Sequence, residues 1–450
     1  MRSRCRPPRS RACWISEATA ARRAALEILR AVHAGIPFAA ARDQAVGGLS
    51  ARDRHLAHEL SAGVLRARRT LDATLDISKV DQRLRDILRL GAYQLQRLDR
   101  IPAHAAVSTS VELARYTAGE AAARYVNQAL RKLGGRGACP QRSEGTRDEE
   151  RVGTHPDWLV ERWRERFGSE STARLLEWND ARRPLVLQPV KWNAARLVGA
   201  LESVGFQVAS VPFDAGFAVT ASTTAPPSLL PSTLPGYSDG AFIVQDPAQA
   251  LVCRFAAVPG GARLYDACAA PGGKSVILAL GGAVVTAGDR RPDRLRRLAD
   301  SIERARVPVT IVAADLLASP WRAASWDAVF VDAPCSATGT MARHPDARWR
   351  LTARAIEHLS QRQSQLLDAA GSLVRPGGVL TYATCSLEAE ENENQVDDFL
   401  RRQPEFRRAP LPAPHAVPAE LMTPAGDFCS RPWLHRIDGA YAARLERDAR

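Results

Sequence analysis

The chain has 450 residues, more than one ordinary hydrophobic core accommodates, so its length predicts two or three domains. The formal net charge is +13 and the pI is about 9.9. An excess of arginine points to a polyanionic partner, most often a nucleic acid, although a codon bias towards arginine would give the same composition. No run of about 18 apolar residues occurs, so we expect no membrane span.

The eight cysteines are scattered along the chain and form no Cys-x-x-Cys pair, which argues against a zinc ribbon or a thioredoxin-type site. Sparse cysteines are typical of the reducing cytosol. The first 15 residues are rich in arginine and proline and lack the apolar segment of a signal peptide. We therefore expect a cytosolic protein that begins with a disordered basic arm.

Residues 16–133 have the periodicity of an all-helical bundle. Between Leu84 and Leu98, apolar or small residues fall on one face of a 3.6-residue helix. Three further helices are predicted at Ala24–Ala34, Arg54–Ala67 and Ala106–Leu133, the last broken near Gly119. The glycine-rich, charged residues 134–154 then predict a linker.

The rest of the chain mixes strands and helices. Residues 155–240 begin with an amphipathic helix and continue with short apolar runs between Pro/Ser/Thr loops, which predicts a small α+β domain. Residues 241–450 contain five short β-rich runs separated by helical stretches, at 263–266, 283–287, 309–313, 328–332 and 378–383. This alternation predicts a Rossmann-like α/β domain with a mostly parallel sheet, in which ligands bind at the carboxyl ends of the strands.

Three successive strand ends carry carboxylates. Asp266 opens the loop Asp266-Ala-Cys-Ala-Ala-Pro-Gly-Gly-Lys-Ser275, which differs from a phosphate-binding P-loop because Cys268 stands where that motif needs glycine. Asp289 suits a ribose diol, and Asp315 suits an exocyclic amine. Together they predict an adenosine pocket without a triphosphate site. The alternative is that each aspartate only caps a helix, and Lys274 is either electrostatic support or a surface cation.

Two cysteines follow the fourth and fifth predicted strands, Cys335 in Asp332-Ala-Pro-Cys-Ser336 and Cys385 in Tyr382-Ala-Thr-Cys-Ser386. If those strands are neighbours, both thiols and Asp332 face one cleft. A redox pair lacks close spacing, and a metal site lacks further ligands. Nucleophilic catalysis remains: a thiolate adding to C6 of cytosine activates C5 towards a methyl group, Asp332 binds the N3/N4 edge, and the second thiol assists release. The residues alone leave open which cysteine attacks, since Pro334-Cys335 resembles the nucleophilic pair of DNA cytosine methyltransferases.

These motifs resemble those of the RNA cytosine-5 methyltransferases that use S-adenosylmethionine. Gln245-Asp246 and the segment Asp438–Leu445 are similar to parts of the same family. In the helical region, the segments at 90–95, 101–107 and 125–130 are similar to the NusB-type RNA-binding domain. The combination resembles the bacterial 16S rRNA cytosine-5 methyltransferase B (Sun/Fmu) family from about residue 20 to 445, apart from the linker.

The resemblance implies a role for each site residue. Cys385 would be the nucleophile, Cys335 would assist product release, and Asp332 would lie beside both cofactor and base. Asp289 would hold the ribose, and Asp315 the adenine side. The cofactor, S-adenosylmethionine with no metal, would be bound by Cys268, Ala269, Ala270, Pro271, Gly272, Gly273 and Lys274 as well.

The implied substrate is 16S rRNA. We expect it to be free or in an early particle, because base extrusion costs least in unpaired or accessible RNA. Nothing in the sequence demands more than a monomer. Three alternatives remain: a tRNA cytosine-5 methyltransferase, an inactive NusB-type RNA-binding factor, and an NTP-driven RNA-remodelling protein, which Cys268 argues against.

Some positions depart from the family pattern or have two interpretations. Gly288 stands where the family usually has an apolar residue, which predicts a shifted turn, and Leu185–Asn193 matches only loosely. Arg343-His-Pro-Asp346 either contacts the target nucleotide or fixes a loop. Trp349 could stack on a base, but we expect it to pack.

Overall fold

The computed structural model describes residues 17–75, 77, 80–135, 154–221, 230–412 and 417–449. Their packing divides the chain into two compact units. The first extends to Asp180 and includes the separate segment Arg348–Arg350, and the second comprises Ala181–Ala347 and Leu351–Arg450. The predicted basic arm and most of the predicted linker lie outside the described residues.

The first unit is helical, as its periodicity predicts. Leu60, Leu88 and Leu130 are fully buried in its core. Gly119, at φ 84°, interrupts the longest helix where a break was expected. The helices are α1 (Glu17–His33), α2 (Phe38–Ala45), α3 (Ala51–Leu75), α4 (Gln82–Arg97), α5 (Ala103–Gly134), α6 (Asp157–Phe167) and α7 (Ser169–Asp180).

Helices α6 and α7 lie in the first unit, whereas the sequence placed residues 155–180 in the small α+β domain. Trp163 on α6 is fully buried. Arg69 of α3 donates to the Asp157 carboxylate at 2.5 Å and to the His155 carbonyl at 2.8 Å. These contacts join segments far apart in the chain, which the periodicity of either segment does not reveal.

The second unit begins with a four-stranded antiparallel sheet in the order β2-β3-β1-β4. Its core contains Leu187, Phe206, Val219 and Phe242. Because β4 pairs with β1, this sheet continues beyond the boundary predicted at residue 240. The elements are β1 (Leu185–Pro189), α8 (Ala194–Ser203), β2 (Phe206–Ser210), β3 (Phe217–Ala221) and β4 (Phe242–Val244).

The larger sheet has the order β10-β12-β9-β8-β5-β6-β7, and β11 pairs with β12. Strands β5 to β9 are parallel, and β12 runs antiparallel to β9. The Rossmann-like prediction is confirmed, and the fourth and fifth predicted strands, β8 and β9, are neighbours. The strands are β5 (Arg263–Asp266), β6 (Val284–Asp289), β7 (Val309–Ala313), β8 (Trp326–Asp332), β9 (Val374–Thr384), β10 (Phe406–Arg408), β11 (Phe428–Ser430) and β12 (Ala440–Arg447).

Helices separate the strands of this sheet. They are α9 (Pro247–Ala256), α10 (Gly273–Leu280), α11 (Pro292–Ala305), α12 (Ala347–Arg350), α13 (Ala353–Leu373), α14 (Glu393–Arg402) and α15 (Pro432–His435). Nowhere in the described part of the chain is a helix both long and apolar enough to cross a bilayer.

Gly288 does not shift the end of β6, contrary to our expectation. Gly288 pairs with Val312 and Asp289 with Ala313 in unbroken parallel register. A Cβ atom at position 288 would lie 2.6 Å from the hydroxyl oxygen of Tyr265, which is fully buried. The tyrosine ring therefore occupies the space that an apolar side chain at 288 would fill.

We expect Gly288→Val to lower the free energy of unfolding by about 1–3 kcal/mol, the usual cost of overpacking a core. Tyr265→Leu should restore part of that loss, because it removes the ring that the valine meets. Urea unfolding of both single variants and the double variant measures the coupling. Losses that add to within about 0.5 kcal/mol would show that the two positions do not compete for space.

Candidate active site

The two thiols meet at the carboxyl ends of β8 and β9. Asp332 pairs with Ala383 across these parallel strands, so the segments that follow leave the sheet at the same edge. The Sγ atoms of Cys335 and Cys385 are 3.2 Å apart, and the backbone N–H of Cys385 donates to Cys335 Sγ at 3.4 Å. Both are free cysteines and partly exposed. The structure thus brings together the pair that the sequence placed fifty positions apart.

The surroundings of Cys335 hold the proton on its thiol. Its hydrogen bond with Cys385 and its burial raise the pKa of Cys335 well above the ordinary value, and the nearby Glu391 carboxylate raises it further. Two sulfurs at this distance cannot both be ionised without strong repulsion. At most one of the two sulfurs is therefore ionised at a time, and the other thiol can donate its S–H to it.

Glu391 is a buried carboxylate behind the two thiol segments, and sequence reasoning missed it. It accepts hydrogen bonds from the backbone N–H of Ser336 at 2.9 Å, from the Ser336 hydroxyl, and from Gln363 Nε2 at 3.0 Å. The Ser336 and Ser386 hydroxyls are 3.1 Å apart, so the network reaches the residue after each cysteine. The available signal was an acidic residue in the polar run that directly follows Cys385.

The two thiol segments are also joined through their backbones. The N–H of Gly339 donates to the Cys385 carbonyl at 3.0 Å, and the N–H of Leu387 donates to the Thr338 hydroxyl at 2.8 Å. A Cβ atom at Gly339 would overlap the carbonyl of Gly439. This close backbone approach fixes the loop after Cys335 against the loop after Cys385.

Lys274 and Asp332 form an ion pair with Nζ 2.6 Å from the carboxylate. Only 12% of the Lys274 side chain is exposed, which excludes the surface-cation interpretation. Burial alone would lower the pKa of Lys274, but the charge and hydrogen bond of Asp332 raise it together with the charges of Cys253 and Cys385, so the net shift of that pKa is upward. The ammonium therefore lies within electrostatic range of the Cys385 sulfur.

The cofactor loop connects β5 to α10. Gly272, at φ 105°, precedes the first turn of α10, and a Cβ atom there would lie 2.8 Å from a methyl carbon of Leu298. Arg294 donates to the Ala270 carbonyl at 2.6 Å. Burial raises the pKa of Cys268 to about 12, so this third thiol is poorly suited to act as a nucleophile.

The strand-end carboxylates fit an adenosine-bearing ligand. Asp289 Oδ1 accepts the Arg291 N–H at 3.0 Å, whereas its buried Oδ2 has no hydrogen-bond partner among the described residues, although Arg294 Nη1 is 3.4 Å away. Asp315 accepts the Leu317 N–H at 3.0 Å. Each aspartate thus caps the following turn with one oxygen, and its role towards a ribose or an adenine stays a prediction.

Asp266 is fully buried at the start of the cofactor loop. It accepts the Ser275 hydroxyl at 2.6 Å, and its other oxygen has no hydrogen-bond partner in the described chain. Burial raises the pKa of Asp266 to about 7. No group of three or more metal-ligating side chains occurs within the described ranges.

Two candidate RNA contacts have structural roles. Arg343 forms ion pairs at 2.9 Å with both Asp246 and Asp438, and it donates to the Pro184 carbonyl at 2.9 Å. Trp349 packs against the core of the first unit and donates to the Leu65 carbonyl at 2.6 Å, which confirms the packing prediction.

Comparisons with known proteins agree with this geometry. The sequence profile of the family described as "16S rRNA methyltransferase RsmB/F" matches residues 257–446, and that of the NusB family matches residues 19–134. The ribosomal RNA small subunit methyltransferase B of Shewanella oneidensis is 31% identical over 408 residues, which cover 88% of this chain and 91% of that protein. The protein of the same name from Salmonella paratyphi B is 32% identical over 388 residues, covering 84% and 88%.

A solved structure entitled "Crystal Structure of PH0851" superimposes with a TM-score of 0.78 at 26% identity, covering 96% of this chain and 100% of that one. The fold and the strand-end site define an S-adenosylmethionine-dependent methyltransferase, here preceded by a NusB-type helical domain. More particularly, the chain belongs to the RsmB/F family of rRNA methyltransferases.

Proposed function

We propose that the protein methylates C5 of one cytosine in 16S rRNA through a covalent adduct between Cys385 and C6 of the base. The observation that carries this proposal is the asymmetric surroundings of the two thiols. The Glu391 carboxylate accepts a hydrogen bond from the backbone N–H of Ser336, next to Cys335. The ammonium of Lys274 lies within electrostatic range of Cys385. A cation favours a thiolate and an anion disfavours it, so the nucleophile forms on Cys385.

Asp332 and Lys274 prepare the ring for attack. The Asp332 carboxylate is about one-third exposed, enough to accept hydrogen bonds from the N3/N4 edge of a cytosine. Its charge favours the protonated ring, whose C6 is more electrophilic. Addition of the Cys385 thiolate then makes C5 an enamine carbon. S-adenosylmethionine, when bound, would supply the methyl group for the new bond at C5, its S–CH3 bond would break, and S-adenosylhomocysteine would be the leaving group.

Cys335 completes the reaction after methyl transfer. Once Cys385 is a thioether, it carries no negative charge, so its contribution to the raised pKa of Cys335 is gone, while burial and the Glu391 charge remain. Cys335 then loses its proton to solvent, and its thiolate takes the proton from C5. The C6–S bond breaks as the C5–C6 double bond forms again, and Cys385 leaves as a thiolate. The reaction releases one proton for each methyl group transferred.

The family and the named relatives favour 16S rRNA over tRNA as the substrate. Base extrusion costs least in accessible RNA, so free rRNA or an early particle is the preferred form. We propose a cytosolic monomer, in keeping with the free thiols that the active site needs. The inactive-factor alternative leaves the thiol pair and its network without a purpose.

Transfer of tritium from labelled S-adenosylmethionine tests the activity on 16S rRNA and tRNA side by side. Bisulfite sequencing of both RNAs from a deletion strain then locates the base. The proposal expects loss of one 16S rRNA methylcytosine, and loss of a tRNA methylcytosine instead would overturn the substrate assignment.

Replacing Lys274 by methionine should lower the rate of methyl transfer roughly hundredfold at neutral pH, because the Cys385 thiolate loses its nearby cation. The rising limb of the pH–rate profile should move to higher pH. Lys274→Arg keeps the charge and should recover part of the rate. A profile that keeps its midpoint in the methionine variant would remove Lys274 from this role.

A further inference from the structure

The helical unit contains a basic cavity that the proposed chemistry does not use. Its volume is about 430 Å³, within the range of ligand-binding pockets. We name it the Arg68 cavity. The side chains that define its chemistry are His33, Arg68, Arg85, Arg89, Trp349 and Arg350.

The positively charged side chains that line this cavity outnumber the negatively charged ones. Four arginines and one carboxylate, Asp86, line it. Arg89 donates to Asp86 at 2.8 Å and to both oxygens of Asp72, at 2.6 Å and 2.8 Å. Asp86 also lies 3.1 Å from His33 Nδ1. The nearby carboxylates are therefore already engaged by Arg89 and His33.

Arg68 is the arginine of this cavity best placed to bind an anion. Its guanidinium carbon lies over the Trp349 ring, 5.0 Å from the centroid. It forms no hydrogen bond or ion pair with any residue that the structure describes, although it is half-buried. Burial is the largest cause of the lowered pKa of Arg68, and the charge of Arg89 lowers that pKa further, while the charges of Asp72 and Asp86 oppose the shift.

A backbone phosphate of RNA matches this site. A guanidinium that stacks on an aromatic ring keeps its in-plane N–H donors available, and that planar fork suits two phosphate oxygens. The arginine-rich chain, at +13, favours a polyanion over a single acidic peptide group.

We propose that the Arg68 cavity binds a backbone phosphate of the rRNA substrate, with the Arg68 guanidinium as its principal donor. This inference rests on the proposed rRNA substrate and adds a contact in the helical unit, remote in sequence from the thiol pair. Arg68 is a binding residue here and takes no part in the chemistry.

The test compares the full-length protein with Arg68→Met, which keeps the aliphatic packing on Trp349 and removes the charge. Binding of a 16S rRNA fragment is measured without cofactor over a series of salt concentrations. We expect an approximately tenfold weaker affinity, and a slope of log K against log salt that is smaller by about 0.7–0.9, the value of one phosphate contact. Arg68→Lys should retain most of the slope but lose affinity.

Arg115→Met is the matched control, because Arg115 on α5 is half-exposed, pairs with Glu120 and does not line the cavity. Its slope should equal that of the unmodified protein, and thermal unfolding should show that both variants fold. An unchanged slope in Arg68→Met, or an equal change in Arg115→Met, overturns the inference and leaves an acidic protein segment as the ligand class. Failure of the unmodified protein to bind rRNA would instead count against the proposed substrate.

Discussion

Replacing Cys335 by alanine is expected to leave the protein covalently joined to its RNA. Cys385 would still add to C6 and the methyl group would still be transferred, but the thiol 3.2 Å away that removes the C5 proton would be absent. The adduct should be visible as a slowly migrating species on denaturing gels, dependent on S-adenosylmethionine. Turnover should fall by a factor of about 10³ or more.

Cys385→Ala should form no adduct and transfer no methyl group, because the nucleophile is missing. Cys429→Ala is a matched control, since Cys429 is a cysteine on β11, outside the thiol pair. It should retain normal turnover. An adduct in the Cys385 variant and none in the Cys335 variant would exchange the two roles.

Arg343→Met is expected to cause the largest loss of stability. Arg343 is the cation between Asp246 and Asp438, whose side chains are 7% and 0% exposed. Burial and the Asp438 charge already raise the pKa of Asp246 to about 7. Removing the guanidinium takes away the ion-pair partner that these two buried carboxylates share, which typically costs about 3–5 kcal/mol.

Urea unfolding of the Arg343 variant measures this loss. Arg375→Met is its control, because Arg375 pairs with Asp327 at 2.7 Å with about half of its side chain exposed. That pair should contribute less than about 1 kcal/mol. Equal losses in the two variants would show that burial of the Arg343 cluster contributes nothing extra.

The sequence predicted the main elements because their signals are local. The apolar spacing of Leu84–Leu98 marks α4, and the β-rich runs mark β5 to β9, whose carboxyl ends necessarily share one edge of a parallel sheet. Adjacency of β8 and β9 brought the two cysteines together. The same topology puts Asp289 and Asp315 after neighbouring strands, as the prediction of an adenosine pocket requires.

The missed features depend on contacts between distant segments. In the sequence, Glu391 is one of several acidic residues in a polar run. Only the fold brings its carboxylate to the backbone N–H of Ser336. Arg343 sits in a loop whose two carboxylate partners lie 97 and 95 positions away. From the sequence alone, Gly288 predicts a shifted turn. In the structure, the ring of Tyr265 fills the space beside Gly288.

The most direct test replaces the target cytidine of a 16S rRNA fragment by 5-fluorocytidine, whose C5 cannot lose a proton after methylation. The unmodified protein should then become trapped on its RNA in the presence of S-adenosylmethionine. Mass spectrometry of the digested complex should find the nucleotide on the peptide that carries Cys385. A nucleotide attached through Cys335, or a methylated RNA released without any protein bond, would contradict the proposed mechanism.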